Sequence, residues 1–208
     1  MFSPDELTTI ALSVRVAGVA ALASLPLAVA VGWLLARKRF PGKALLDALV
    51  HLPLVLPPVV VGYALLVTFG IQGSMGRLLD QFGLAFAFRW TGAALAAAIM
   101  GFPLMVRTIR LSIENVDRRL EQAAATLGAS PWRRFFTVTL PLAWPGLVAG
   151  AVLGFAKALG EFGATITFVS AIPGETRTLS SAIYGLMQVP GGEASIWRLA
   201  AVSVAISL

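Results

Sequence analysis

The sequence predicts an all-α integral membrane protein that forms a single domain over residues 1–208. Three observations support this fold class: 58% of the 208 residues are hydrophobic, only 12% are charged, and the mean hydropathy is +0.85. Soluble domains contain about 45–50% apolar and about 25% charged residues. The composition therefore excludes a soluble globular enzyme, a disordered chain and a coiled coil. The lack of cysteine excludes a disulfide framework and a thiolate metal site.

Hydropathy predicts five membrane-spanning helices, because a bilayer core requires about 20 apolar residues of helix. In chain order the spans cover residues 9–36, 44–69, 91–110, 141–170 and 195–208. The fifth is short, since the segment from Ile196 to Leu208 gives only about 20 Å of helix, whereas a span needs about 30 Å. We therefore expect the fifth span to be truncated at Leu208 and a C-terminal tail to follow it.

Basic residues predict the orientation of these spans. Four follow the first span: Arg37, Lys38, Arg39 and Lys43. Six lie at the end of the third span and in the polar segment after it: Arg107, Arg110, Arg118, Arg119, Arg133 and Arg134. The positive-inside rule places both groups in the cytoplasm and the N-terminus outside. We expect a multi-pass protein of the bacterial cytoplasmic (inner) membrane.

The most polar part of the chain, residues 112–140, predicts two short helices joined by a tight turn. Asp117 can cap the start of the first helix, and Gly128 is a suitable stop. Ser130 and Pro131 can begin the second helix. The first helix carries one flat apolar stripe: Leu120, Ala123, Ala124 and Leu127. This stripe suits docking into a groove of another protein or packing on the chain's own spans, and we leave both alternatives open.

This segment resembles the EAA loop of ABC-importer permeases. Gln122-Ala123-Ala124 takes the E-A-A place, Gly128 follows after three residues, and Val138 and Leu140-Pro141 follow at the spacing of the pattern. Gln122 stands where the pattern has Glu, with Glu121 directly before it, and Val138 replaces Ile. The resemblance implies that residues 112–140 form a cytoplasmic coupling loop whose first helix enters the nucleotide-binding subunit. The residues implied in that contact are Glu121, Gln122, Ala123, Ala124, Gly128, Ala129 and Arg133.

A wider resemblance, to the permease subunits of molybdate ABC importers, covers nearly the whole chain. Besides the coupling loop, the stretches that carry it are residues 40–63, 102–117 and 159–178. The resemblance implies the type I ABC importer permease fold, with five core transmembrane helices and a coupling helix. Sulfate permeases share the layout, so a sulfate or thiosulfate permease of the same fold is the alternative. Molybdate is the implied substrate, with tungstate as a further candidate.

The resemblance also implies the partners. They are a second copy of the chain, two ABC ATPase subunits on the cytoplasmic side, a periplasmic or extracellular molybdate-binding protein, and membrane lipid; no nucleic acid is expected. The chain has no G-x-x-x-x-G-K-[ST] motif and no catalytic or metal-ligand set. We therefore expect a non-ATPase subunit without a cofactor of its own, with ATP and Mg²⁺ bound by the partner ATPase. A rival of a different class is an ATP-independent anion carrier or channel, which needs no partner at the coupling loop.

Lys157 and Glu161 fall within the fourth predicted span. A charge at bilayer depth costs about 2.5–3.5 kcal/mol, and residues four apart on a helix can pair. The pair is either a mutually neutralising structural pair or a pathway element in which Lys157 lowers the barrier for an oxyanion. Gly146, Gly150 and Gly154 in the same span indicate close helix packing, against another span of the chain or at a subunit interface.

Overall fold

The computed structural model describes residues 2–83 and 85–207, and this part of the chain contains helices but no strand. The helices are α1 (Pro4–Arg37), α2 (Lys43–Val55), α3 (Pro58–Phe69), α4 (Ser74–Asp80), α5 (Trp90–Asn115), α6 (Arg118–Thr126), α7 (Pro131–Arg134), α8 (Leu140–Leu159), α9 (Gly163–Val169), α10 (Leu179–Leu186) and α11 (Glu193–Ser207). A π-helical turn, Phe135–Thr139, joins α7 to α8.

Helix α1 begins before the predicted first span because its first turn is capped. The Ser3 hydroxyl accepts a hydrogen bond from the Glu6 amide at 3.2 Å, and the Glu6 carboxylate accepts one from the Ser3 amide at 2.8 Å. This capping box satisfies amides that would otherwise lack partners. With 34 residues, α1 is about 51 Å long, so it exceeds the bilayer core and extends beyond the apolar run from residue 9.

The second predicted span, residues 44–69, is not one straight helix. Helices α2 and α3 meet at Leu56 and Pro57 with a bend of 110°. Pro57 cannot donate a backbone hydrogen bond, and a proline also disfavours helical geometry in the residue before it. The described residues contain three helical segments long and apolar enough to cross a membrane, or up to four if the bent pair counts as one span.

The fourth and fifth predicted spans also differ from the observed helices. A helical run covers Pro131–Leu159, so it begins ten residues before the predicted start at 141 and ends well before 170. Glycine at position 160 caps α8, and α9 begins separately at Gly163. The short α11 has 15 residues, and Leu208, the predicted end of the fifth span, lies outside the described residues.

Helix α5 lies between α1 and α8 and forms the centre of the bundle. It extends the third predicted span, 91–110, to Asn115, because the apolar residues Ile109 and Ile113 remain buried there. Its first half is lined with fully buried alanines, such as Ala93 and Ala97, which allow the neighbouring helices to approach closely. The three glycines of α8 face α5, so they pack within the chain, as one of the two alternatives predicted.

Polar contacts join the distant ends of the chain. Arg198 of α11 donates to the Glu6 carboxylate at 2.7 Å, and the Leu179 amide donates to the Ser13 hydroxyl at 2.7 Å. At the opposite end, Arg110 of α5 contacts Asp47 of α2 at 3.1 Å. Helices α10 and α11 are therefore hydrogen-bonded to the N-terminal part of α1.

Helices α3 and α9 approach each other closely at Gly62, and we expect this contact to limit which residues the position tolerates. A Cβ atom at Gly62 would lie 2.5 Å from the carbonyl oxygen and 2.9 Å from the Cα of Ala164. We predict that Gly62→Ala lowers the free energy of unfolding by about 1–3 kcal/mol, because the backbone atoms it meets cannot move aside without separating the helices. The measurement is unfolding of the purified protein in mixed micelles of detergent and SDS.

Gly18→Ala in α1 is the matched control, since a Cβ atom there meets nothing within 4 Å. It should leave the unfolding free energy unchanged or raise it by up to about 1 kcal/mol through helix propensity. Equal unfolding free energies for the two variants would contradict the close approach of α3 and α9.

Candidate functional site

The first candidate site is α6, whose two ends are defined by its own sequence. At its start the Asp117 carboxylate accepts a hydrogen bond from the Arg119 amide at 2.9 Å. At its end the Gly128 amide donates to the Ala125 carbonyl and the Ala129 amide to the Ala124 carbonyl, each at 3.0 Å. This pair of bonds is a Schellman motif, and it requires the left-handed φ of +82° that Gly128 adopts. The predicted start and stop of this helix are confirmed.

The second short helix of the coupling loop is continuous with the fourth span. The Ser130 hydroxyl caps α7 by accepting from the Arg133 amide at 3.3 Å, with Pro131 in the first helical position. The chain then continues through the π-helical turn into α8 without a break. The turn at Ser130 is therefore connected directly to the long helix α8.

The apolar stripe of α6 is not covered by the described part of the chain. No residue of α6 is buried. Leu120 and Leu127 are 48% and 88% exposed, Ala123 is exposed, and Ala124 is half-buried. The stripe does not pack on the chain's own spans, so the structure favours the docking alternative among the two that the sequence left open.

The implied contact residues of α6 and the turn after it divide into two groups. The first group is exposed or half-buried. Its exposed members are Gln122, Ala123, Gly128 and Arg133, and its half-buried members are Ala124 and Ala129. Glu121 differs, because its carboxylate turns inward and its side chain is only 20% exposed. Glu121 is therefore an internal anchor of α6 rather than part of its outer face.

The anchor links three helices at one point. One carboxylate oxygen of Glu121 accepts from Arg37 Nε at 3.0 Å and from Thr139 Oγ1 at 2.7 Å. Arg37 also donates to the Val116 carbonyl at 2.8 Å, at the end of α5 and two residues before α6. The end of α1, the start of α6 and the π-helical turn before α8 are thus held together. Arg37 was predicted only as a topology signal, and nothing in its sequence position distinguished it from the neighbouring basic residues.

The anchor also shows which ends of the helices lie together. Arg118 donates to the Ala36 carbonyl at 3.4 Å, which together with the Arg37–Glu121 contact places the basic turn after α1 beside the coupling loop. The two basic groups that the sequence assigned to one side therefore meet at one end of the molecule.

The second candidate site is the pair of Lys157 and Glu161. Lys157 Nζ lies 3.0 Å from Glu161 Oε2, so the pairing predicted from their spacing is confirmed. Glu161 is 2% exposed, and its other oxygen accepts from the Ala164 amide at 3.0 Å. The carboxylate thereby lies in the break between α8 and α9, not in the middle of a continuous helix, and it caps α9. A buried carboxylate with a cation and an amide donor is compensated on both oxygens.

Metal binding finds no support among the residues that the structure describes. No group of three or more His, Cys, Asp or Glu side chains is placed there to hold an ion. The described side chains of the two sites link neighbouring helices and compensate each other's charges.

The anchor predicts coupling between Arg37 and Glu121. In a double-mutant cycle of Arg37→Gln and Glu121→Gln, we expect an interaction free energy of about 1–3 kcal/mol, because the bond is charge-assisted and shielded from solvent. The measurement is the free energy of unfolding in detergent and SDS. A cycle of Glu121→Gln with Arg39→Gln, an exposed neighbour, is the control and should be additive. Additivity in both cycles would show that the anchor does not hold α6.

Comparison with known proteins agrees with this architecture. The family described as "Binding-protein-dependent transport system inner membrane component" matches residues 28–208. The molybdenum transport system permease protein ModB of Escherichia coli is 61% identical over all of this chain and 91% of its own length. The sulfate transport system permease protein CysT of the same species is 41% identical over 76% of this chain and 57% of its own length.

A solved structure shares the fold. It is the crystal structure of a bacterial ABC transporter involved in the import of alginate, with a TM-score of 0.74 and 16% identity, over 99% of this chain and 77% of that one. At this identity the likeness concerns the fold alone. The family match and the 61% identical relative go further. The chain is an inner-membrane, multi-pass transport component and belongs to the family of binding-protein-dependent transport system inner membrane components.

Proposed function

We propose that this chain is the permease subunit of an ATP-driven molybdate importer. The observation that carries the proposal is the 61% identity to a molybdenum permease over the whole chain, against 41% over three quarters of it for a sulfate permease. In this proposal two copies form the translocation pathway, and two ATPase subunits bind their coupling loops from the cytoplasm. A binding protein delivers the oxyanion to the outer face, where the N-terminus lies.

The uncovered face of α6 is the proposed contact with the ATPase. Leu120 and Leu127 supply exposed apolar area, while Ala123 keeps the surface between them flat. A helix of this kind fits a groove on a partner through residues three and four apart. The capped ends of α6 support this role, because a short helix of 9 residues is marginal in isolation and needs its caps to remain folded.

The anchor at Glu121 is the proposed route by which ATPase movement reaches the membrane. Because Glu121 contacts both Arg37 and Thr139, a displacement of α6 pulls on the ends of α1 and α8 together. These helices pack on the two sides of α5. Closure of the two ATPases would thereby move whole helices, which is the rigid-body motion that alternating access requires.

Lys157 and Glu161 are proposed first as a structural pair at the junction of α8 and α9. The two bonds of the Glu161 carboxylate support this role. A contact between Lys157 and the transported oxyanion is the second candidate, and the 31% exposure of the Lys157 side chain supports it. The carboxylate of Glu161 is paired with Lys157 at 3.0 Å, so it would repel an anion less than an unpaired acid.

Transport measurements test the proposed substrate. Proteoliposomes containing the permease, the ATPase and the binding protein encoded with it should take up labelled molybdate only with ATP, and excess sulfate should not suppress the uptake. Suppression by sulfate would assign the chain to sulfate or thiosulfate import. Uptake without ATP would instead support an anion carrier or channel and contradict the importer.

A substitution at Gly128 tests the role of α6. We predict that Gly128→Val reduces copurification of the ATPase and ATP-dependent uptake at least about fivefold. Valine in the left-handed conformation costs about 1–2 kcal/mol, and it displaces the end of the docking helix.

Gly191→Val is the matched control, because Gly191 has a similar φ of +84° and also has open space around it. It lies in the loop before α11, away from the coupling loop, so the ATPase should be retained. Normal ATPase binding and uptake by Gly128→Val would exclude α6 as the docking helix.

A further inference from the structure

An apolar groove of about 740 Å³ runs along the second half of α1 and is bordered on its other side by the start of α8 and the π-helical turn. We call it the inner groove, and define it by Leu25, Val29 and Trp33 on α1 and by Phe135, Phe136 and Leu140 opposite. Pro26 and Ala30 of α1 are exposed along it, and Phe136 is 57% exposed. The groove is therefore open to the side from which lipid reaches the helices.

The length of the inner groove corresponds to one leaflet of a bilayer. Its apolar part extends along α1 from Leu25 to Leu34, which is about 14 Å at about 1.5 Å per residue. Half of the hydrocarbon core is about 15 Å thick. An acyl chain that begins at the basic end of the groove would reach the bilayer centre near Leu25.

A polar pocket of about 190 Å³ continues the inner groove at its end. We call it the basic pocket, since four cations and one carboxylate line it: Arg37, Lys38, Arg118, Arg134 and Glu121. Trp33, Lys38 and Phe135 line both the groove and the pocket. The two spaces therefore adjoin, one apolar and one cationic.

Two of these cations are available for a ligand. Arg37 is occupied by Glu121, whereas Lys38 is exposed and lies 5.3 Å above the Trp33 ring. The Nε atom of Arg134 is buried and has no hydrogen-bond partner among the described residues. The Arg134 side chain lines the basic pocket, and its charge has no ion-pair partner among the described residues. An anionic oxygen in the pocket would be attracted to this uncompensated charge.

From these observations we propose that the inner groove and the basic pocket together bind one anionic phospholipid of the cytoplasmic leaflet. Its phosphate would lie between Lys38 and Arg134, and one acyl chain would fill the groove between α1 and α8. Charge complementarity selects an anionic headgroup, because basic pockets between helices on the cytoplasmic side attract such lipids. A bound lipid would link the end of α1 to α7 beside the Glu121 anchor. The proposal rests on the membrane location and orientation given in the proposed function, and not on the transported substrate.

Native mass spectrometry of the delipidated, detergent-solubilised permease tests this site. The probes are phosphatidylglycerol and phosphatidylcholine with the same dioleoyl chains. We expect phosphatidylglycerol to bind at least about fivefold more tightly and to raise the thermal unfolding midpoint. Removal of one basic side chain near an anionic lipid costs about fivefold in affinity, so Arg134→Gln and Lys38→Gln should each weaken phosphatidylglycerol binding by about that factor.

Two further variants separate the headgroup from the acyl chain. Arg39→Gln removes an exposed charge next to Lys38 that does not line the basic pocket, and it should bind phosphatidylglycerol like the unmodified protein. Ala30→Trp fills the inner groove from an exposed position without changing the charge. It should abolish the preferential binding of phosphatidylglycerol over phosphatidylcholine. The unfolding midpoint of each variant without lipid shows whether it is folded.

Several results would overturn the proposal. One is equal affinity of the protein for phosphatidylglycerol and phosphatidylcholine. Another is unchanged phosphatidylglycerol binding by a folded Arg134→Gln or Ala30→Trp variant. The same stabilisation by inorganic phosphate would identify a soluble anion as the ligand.

The chain has no cysteine, so Ala30→Cys introduces a single thiol. Its efficient disulfide cross-linking between copies in membranes would show that the inner groove is covered by a second copy instead of lipid.

Discussion

Satisfaction of backbone hydrogen bonds in a medium without water is the constraint on which this structure depends. Each unsatisfied amide or carbonyl in hydrocarbon costs several kcal/mol, so the long apolar segments are helical. Helix breaks are tolerated only where other groups replace the missing bonds. The chain has such breaks at Pro57, between α2 and α3, and at Gly160, between α8 and α9, and the two breaks lie together. A Cβ atom at Gly163 would lie 2.7 Å from Pro58 Cβ.

The same constraint explains how the charges of the chain are arranged. Glu161 supplies an acceptor to the first turn of α9 and a counter-ion to Lys157, so one carboxylate compensates both a helix break and a partly exposed cation. Glu121 and Glu6 act similarly at the two ends of the bundle, toward Arg37 and Arg198. Each of these acids joins separate helices or adjoins a break. Charge pairing in this chain therefore links the helix ends that lie side by side.

The end of the molecule that carries the coupling loop combines two surfaces of different character. The outer face of α6 is apolar, flat and uncovered, whereas the space between α1 and the start of α8 is an open groove with a basic end. One suits a protein partner and the other an anionic amphiphile. The anchor at Glu121 lies between them, so that protein docking and lipid binding would act on the same helix ends.

Composition and local chemistry were enough to predict several features of this chain. Mean hydropathy identified a helical membrane protein, Asp117 and Gly128 defined the ends of α6, and the spacing of Lys157 and Glu161 predicted their pairing. These predictions succeed because caps, turns and pairs four residues apart depend on neighbours along the chain. The resemblance of the coupling loop likewise indicated the family from one contiguous segment.

The continuity of the apolar segments and the direction of the Glu121 side chain depend instead on contacts between helices. Hydropathy does not distinguish a straight span from one bent by 110° at Pro57. It also does not show that the helix within the fourth apolar run ends at Gly160. The inward turn of Glu121 depends on Arg37, 84 residues away, and the inner groove is formed by α1 and α8 together. Contacts of this separation arise from helix packing, which local sequence does not encode.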